Sequence, residues 1–245
     1  MAAYANRRHK VQKCNRHEYP KNEPGNHRTK NENPIMLLTT DDILRMEQRY
    51  RTTFVNSLSG FHPVVLVGSR SAAGKSHLAT FNSLVHIGAN PPLFGLISRP
   101  DTVKKQTLTN IRETGVYSIN FLSTEHIGSI HQTAARFDDA ADKFRETGLT
   151  ECTLPESTLP FVKEASVKIA MRCENIIPIP ANGTWLIVGA IEAVEIRSEI
   201  IAPDGFVRLH DEKIAACAGL DAYFSTTLLN RFAYPKAGEP AKTIG

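Results

Sequence analysis

The sequence predicts a mainly β fold with helical decoration, arranged as an antiparallel barrel, and three observations carry that expectation. Five or six runs of strand length are joined mostly by short links. The two longest, residues 167–178 and 184–200, flank Asn182-Gly183, the dipeptide that best tolerates the positive φ angles of a tight hairpin turn. Alternation of strand and helix patterns is sparse, which argues against a parallel, doubly wound sheet.

Taken in order, Asp41 and Asp42 open a helical pattern through Ile43, Met46, Tyr50, Phe54 and Leu58 that stops at Gly60. Residues 64–68 are a short β-branched run, 69–76 are small and polar, and 78–85 and 93–98 are again strand-like, so a β-meander is expected. Residues 102–114 have helical spacing at Val103, Leu108 and Ile111, with Asp101 or Thr102 as cap and Gly115 as stop, about three turns in all. A strand at 116–122 and helices at 125–136 and 138–148 follow. Pro155 and Pro160 mark 151–164 as a long surface crossing, Pro203-Asp204-Gly205 as a turn, and 214–229 as a last apolar pattern with Tyr223 in its midst.

At 245 residues and 41% hydrophobic content the chain suits one domain with elaborations, or at most two small ones. No run approaches the roughly 18 apolar residues that would span a bilayer, and the first thirty are too polar for a secretory signal, so a cytoplasmic protein is expected. Cys14, Cys152, Cys173 and Cys217 lie far apart without a CxxC pair, which points to free thiols rather than a zinc site or disulfides. The net charge of +4 is concentrated in residues 1–35, which hold eight Lys/Arg against three Asp/Glu and show no hydrophobic period. That leader reads as a disordered, solvated appendage, with nucleic-acid binding disfavoured, and Met36 is an alternative start. The expected organisation is the leader at 1–35, an N-terminal helix at 36–60, a barrel domain at 61–235 and a tail at 236–245.

Some motifs mislead. Gly68-Ser-Arg-Ser-Ala-Ala-Gly74-Lys75-Ser76 ends like a phosphate-binding loop, but five residues separate its glycines where four are needed, and a strand pattern follows instead of a helix. A hairpin loop is the better reading. The histidines outside the leader form no i, i+4 pair around a carboxylate, so no metal site is assigned. No Gly-x-Ser-x-Gly elbow suggests a hydrolase.

Arg99, Lys104, Lys105 and Thr107 stand where an apolar strand hands over to a helix. Unpaired N–H groups, the helix dipole and added cations make such a junction a natural anion site. A solvated basic first turn would present the same residues.

The order of several local patterns supplies what each lacks alone. His77-Leu-Ala-Thr-Phe-Asn-Ser-Leu84, Gly88-Ala-Asn-Pro-Pro-Leu-Phe-Gly95, Arg99-Pro100, Thr107-Leu-Thr-Asn-Ile-Arg-Glu-Thr-Gly115 and Tyr117-Ser-Ile-Asn-Phe-Leu122 follow a strand at residues 64–69. With Gly148-Leu149, the Asn182-Gly183 hairpin and Gly219-Leu-Asp-Ala-Tyr223, this succession resembles the flavin-reductase-like proteins of the FMN-binding split-barrel class over about residues 45–235. The resemblance implies a Greek-key split β-barrel, homodimeric, with each subunit helping to close its partner's flavin pocket. It places Ala79, Thr80, Phe81, Asn82 and Ser83 against the FMN ring and ribityl chain. Arg99, Thr107 and Lys105 fall where such proteins meet the phosphate, at a junction that runs on to Asn110. His77 and Asn82 depart from the usual Asn and Ser of the ring-facing motif, although both remain polar. His131 and Tyr223 are candidates to reach the pocket, with a surface histidine and a core tyrosine as their ordinary alternatives.

In such a protein the cofactor carries the redox chemistry, so no side chain is assigned a catalytic role. The implied activity is hydride transfer from NAD(P)H to FMN and onward to free flavin, a ferric complex or another small acceptor. A non-catalytic flavin-binding electron carrier or sensor is the second reading. Gly-x-Gly-x-x-Gly is absent, so nothing distinguishes NADH from NADPH.

Overall fold

The computed structural model describes residues 35–100, 106–138 and 141–244. The basic leader lies outside the described residues, except for its last member, Ile35. Contacts divide the chain after Ile43, so the segment before it is described by itself. There, Thr39 and Asp42 exchange hydrogen bonds as a capping box, Thr39 N–H donating to Asp42 Oδ2 at 2.9 Å and Asp42 N–H to Thr39 Oγ1 at 3.3 Å. They start α1, Thr40–Arg45. The single helix expected from Asp41 to Gly60 is broken instead. Glu47 adopts extended backbone (φ −52°, ψ 140°) and its carboxylate accepts from Tyr50 N–H at 2.9 Å, which caps a new helix, α2, Gln48–Leu58.

The body continues with β1 (His62–Pro63), β2 (Val65–Arg70), β3 (Ser76–Phe81), β4 (Val85–Ala89) and β5 (Pro92–Ser98), then α3 (Gln106–Thr114) and β6 (Val116–Phe121). A short 3-10 turn, Thr124–His126, leads into α4 (Ile127–Gln132), followed by α5 (Lys143–Glu146), β7 (Glu151–Cys152) and β8 (Phe161–Val162). The long pair β9 (Val167–Ile179) and β10 (Thr184–Ile196) precedes β11 (Ala215–Ala218), β12 (Ala222–Ser225), β13 (Arg231–Phe232) and β14 (Thr243–Ile244).

Seven strands form one antiparallel sheet in the order β3-β2-β6-β9-β10-β5-β4. Its two edge strands, β3 and β4, are consecutive in sequence and are separated only by residues 82–84. Four Cα steps span at most ~14 Å, whereas the edges of a flat seven-stranded sheet would stand ~29 Å apart at ~4.8 Å per strand. The sheet is therefore rolled until its edges nearly meet, an open barrel without a seventh rung. The core agrees: Val67, Leu96, Tyr117, Ile119, Met171 and Ile187, from five different strands, share one buried cluster. A second cluster, including Leu66, Leu78, Ile130, Phe144 and Ala215, seals the outside of β2 and β3 beneath α4, α5 and the β11–β12 hairpin.

Several expected boundaries shift for physical reasons. The run 78–85 is not one strand, because the chain turns at residues 82–84 from one sheet edge to the other. The helices expected at 125–136 and 138–148 shorten to α4 and α5, the latter starting where Asp142 caps Phe144 N–H at 3.1 Å. At the tip of β9 and β10 only Gly183 has positive φ (71°); Asn182 instead accepts from Thr184 N–H at 3.1 Å, closing a four-residue loop. Gly74 (φ 83°) turns the β2–β3 hairpin, so the loop resembling a phosphate binder is a hairpin loop. The tail expected at 236–245 is joined to earlier residues, since β14 pairs with β13 across the anticipated boundary.

The expected surface crossing at 151–164 holds for residues 151–158, which are exposed or half-buried, and fails at 159–162. Leu159, Pro160, Phe161 and Val162 are buried, and β6 supplies polar side chains to receive them. Asn120 Oδ1 accepts from Val162 N–H at 2.9 Å while its amide donates to Leu66 carbonyl at 3.1 Å, and Ser118 Oγ donates to Pro160 carbonyl at 2.5 Å. Gly68 has no Cβ to collide with that carbonyl. Asn120→Ala should unpair a buried N–H and a buried C=O together, at a cost of about 2–4 kcal/mol. Urea denaturation monitored by circular dichroism measures it, and a change below ~0.5 kcal/mol would contradict the assignment.

Candidate functional site

Strand β3 organises the candidate site because it is paired on one side only. It hydrogen-bonds to β2 from Phe81 opposite Val65 to Ser76 opposite Arg70, and among the described residues no backbone group pairs with its outer edge. A row of N–H and C=O groups is thus left for something other than a strand.

The side chains expected to line a flavin ring on this strand are largely engaged with the protein. Thr80 Oγ1 donates to Ile130 carbonyl at 2.6 Å and meets the buried Thr133 hydroxyl in a short contact, which fastens β3 to α4. Asn82 Nδ2 donates to Gly219 carbonyl at 2.5 Å, reaching the turn between β11 and β12. Ser83 Oγ both donates to Ile97 carbonyl and accepts from Ile97 N–H, each at 3.1 Å, so one side chain acts as a rung between the link and β5. Phe81 packs into the barrel core. Ala79, half-buried opposite Val67, contributes backbone.

His131 and Tyr223 do come together. Nδ1 of His131 lies 3.0 Å from the Tyr223 hydroxyl, and their rings meet edge to face at 5.8 Å. His131 follows Ile130, the residue held by Thr80, while Tyr223 faces Cys217 across β11 and β12. Hydrogen bonds and strand pairing therefore link Thr80, His131, Tyr223 and Asn82 in one circuit closed by the Gly219 turn. Burial pushes the Tyr223 phenol up to about 12, reinforced by Cys217 and Asp221 nearby. Burial likewise raises the Cys217 thiol, again with Asp221 adding to the effect, which keeps it from acting as a thiolate.

The other half of the site lies where β5 passes to α3. Arg99 is exposed and makes no ion pair with the described residues. Thr107 is 5% exposed, in the first turn of the described helix, and its hydroxyl has no partner among the described residues. Lys105, expected beside them, lies outside the described residues, as do Lys104 and both capping candidates. Asn110 is fully buried and has a bridging place: it accepts from Gln106 Nε2 at 2.6 Å and donates to Ser69 Oγ at 3.0 Å. Ser69 faces His77 across β2 and β3, so the helix is anchored to β2, the strand paired with the one that carries the other half.

Gly219, Ser69 and Gln106 were not singled out from sequence. Gly219 lay within a quoted motif, but its role depends on a carbonyl contact that no side-chain pattern encodes. A cavity of about 480 Å³ occurs elsewhere, lined by residues such as Glu164, Lys168, Glu195, Arg197 and Glu212. Its cations are already matched, Lys168 with Glu195 at 2.5 Å and Arg197 with Glu212.

Comparison with known proteins supplies the context for this geometry. The family model for the flavin reductase like domain matches residues 60–211. A Shewanella frigidimarina structure with a split barrel domain of the flavin reductase type is 36% identical, covers 82% of this chain and 100% of its own, and superposes with a TM-score of 0.78. Nitrilotriacetate monooxygenase component B from Bacillus cereus (18% identical, 82% of this chain and 100% of its own, TM-score 0.71) and flavoredoxin of Desulfovibrio vulgaris (19%, 73% and 91%, 0.60) share the fold. An uncharacterized protein of Halalkalibacterium halodurans is 24% identical over 176 residues, 69% of this chain and 83% of its own.

The elevated phenol gives a direct check. The difference in ultraviolet tyrosinate absorbance between the native protein and Tyr223→Phe should stay flat through the ordinary range around pH 10 and rise only near pH 12. Ionisation of Tyr223 at the ordinary value would show that the phenol is not buried beside Cys217 and Asp221 as described.

Proposed function

Because the chain belongs to the flavin reductase like family, we propose that it binds FMN along the open edge of β3 and transfers electrons from NAD(P)H to a small acceptor. The observation that carries this reading is the continuity of two unmet surfaces. The outer edge of β3, which no strand pairs among the described residues, runs, through Ser69 opposite His77 and the Asn110 bridge, to a junction where Arg99 and Thr107 both lack partners among the described residues.

The donor set fits the group. A guanidinium and a helix-turn hydroxyl suit a phosphate, because the guanidinium supplies charge-assisted donors and the first turn of a helix carries unpaired N–H groups. A row of strand amides suits the edge of a flat heteroaromatic ring, offering donors and acceptors at fixed spacing. Bound FMN would supply the redox chemistry, accepting a hydride and releasing electrons to the acceptor. The chain's task is then to bind and orient. Backbone N–H groups of β3 donate where reduction places negative charge, with no reorganisation because the sheet already fixes them. Asn82 and Thr80 hold that strand in place rather than donating their strongest hydrogen bonds outward. The paired His131 and Tyr223 wall the pocket with a phenol that stays protonated at neutral pH.

A homodimer completes the reading: the outer edge of β3 has no strand partner within the described residues of one copy, and a second copy would cover it, leaving the small-molecule acceptor to approach beside it.

Two measurements test the proposal. Arg99→Ala combined with Thr107→Ala should weaken FMN binding ~10- to 100-fold, the loss of one or two phosphate hydrogen bonds at an exposed site; equilibrium dialysis that finds unchanged affinity would remove the phosphate assignment. Anaerobic addition of NADH or NADPH to the FMN-loaded protein should bleach the flavin's visible absorption within seconds. An unaltered spectrum over minutes would leave binding without reductase activity.

A further inference from the structure

We propose that residues 226–244 are an exchange arm, which leaves its own barrel and lies on a second copy of this chain. The inference rests on the homodimeric reading above and goes beyond it by naming the segment that is exchanged.

The arm is ordered in conformation yet almost wholly uncovered. From residue 226 to 244 every residue is exposed except Arg231. Leu229 is 85% exposed, Phe232 54% and Tyr234 92%. The segment nonetheless has defined secondary structure: Arg231 pairs with Ile244 and Phe232 with Thr243, Ala233 N–H donates to Lys242 carbonyl at 2.9 Å, and Gly238 turns the chain at φ 82°. An isolated two-stranded ribbon is marginal in water at best, and one that exposes its aromatic residues gains nothing from them.

Among the described residues its one firm attachment is at its base. Arg231 donates to Asp204 Oδ2 at 2.5 Å, and its guanidinium sits 4.1 Å over the ring of Phe206. This anchor fixes the direction in which the arm departs without covering Leu229, Phe232 or Tyr234. Aromatic and aliphatic side chains presented this way are the usual anchors of a protein interface.

Three features select a second copy as the occupant. The first is charge. Residues 226–245 carry three Lys/Arg and one Glu, whereas residues 36–225 carry 18 Lys/Arg against 21 Asp/Glu, so the arm is basic and the body it would lie on is slightly acidic. The second is size. A stable interface involves ~20–30 residues a side, and reciprocal exchange gives each side a nineteen-residue arm plus the surface that receives one. The third is the acceptor. On the outer face of the sheet, Val85 and Ile87 are more than two-fifths exposed, and both converge with Leu186 on the space above Gly95. Ile177, paired with Leu186, extends the same uncharged surface. Arm and face each lack what the other offers, and a two-fold axis satisfies both at once.

The exchange also bears on the site. The arm begins directly after β12, the strand that presents Tyr223 to His131, so tension or order in the arm reaches the wall of the groove within three residues.

The test uses the full chain with a benzophenone side chain in place of Leu229, as an equimolar mixture of nitrogen-14 and nitrogen-15 copies allowed to exchange subunits. After irradiation, mass spectrometry of the cross-linked peptides should find labelled joined to unlabelled chain. In parallel, Leu229→Asp with Phe232→Asp should raise the dimer dissociation constant at least ~10-fold in sedimentation velocity, by placing charge in a buried contact, with circular dichroism unchanged because both residues are exposed within one copy. A persistent dimer whose cross-links join only residues of the same copy would overturn the arm while leaving the dimer intact. A dimer unmoved by the double substitution would do the same. A native protein that sediments as a monomer would overturn both.

Discussion

The three residues between β3 and β4 constrain the rest of this molecule. A chain that must pass from one edge of a seven-stranded sheet to the other in residues 82–84 leaves the sheet no choice but to roll. Rolling creates a single interior to which five strands contribute, and it does so without closing the ladder, since the last rung is made by the Ser83 side chain on Ile97 rather than by a strand pair. Complete closure would have paired the outer edge of β3 with a neighbour. The incomplete closure keeps that edge available, and the candidate site follows directly from it.

An available edge is useful only if it is rigid, and the polar side chains on β3 serve that end. Thr80 binds α4 and Asn82 binds the Gly219 turn, so the strand is held from its outer face by two separate elements. The same logic applies to Asn110, whose amide is spent inside the protein between Gln106 and Ser69. These residues were expected to touch the ligand because they are polar and sit in the right motif. Their geometry makes them positioning residues. In the proposed reading the groups left to meet a ligand are main-chain amides, which every substitution except proline retains and whose spacing is set by the pleat.

The sequence disclosed the elements whose signals are local. A strand pattern marked residues 116–122, Asn182-Gly183 marked the turn of the long hairpin pair, and the small polar run 69–76 marked a hairpin loop that Gly74 turns. It did not disclose the break at Glu47, where one carboxylate capping Tyr50 outweighs a continuous apolar period. Nor did it reveal that residues 159–162 are buried. Two prolines suggested surface, whereas the deciding facts are the buried donors and acceptors of Asn120 and Ser118 on a strand some forty residues away, together with the space left by Gly68. For the site, the junction of Arg99 and Thr107 was legible as chemistry, and His131 and Tyr223 as separate candidates, but not their hydrogen bond to each other. The contacts that fasten Thr80 and Asn82 to the fold are with the Ile130 and Gly219 carbonyls, and carbonyls carry no sequence signature.

The two halves of the site differ in what would sustain them. In the proposed reading the phosphate half would depend on an exposed guanidinium within a body that carries more acidic than basic residues, so its attraction for an anion would be short-ranged and fall with ionic strength over a Debye length of ~8–10 Å. The ring half would depend on an open sheet edge that salt does not screen but water can occupy. A ligand joining both is therefore held by a screened contact at one end and by a contact that strengthens with exclusion of water at the other. Whatever covers the edge of β3 would add to affinity by drying the second contact rather than by adding charge to the first, so an apolar cover would be the more effective one.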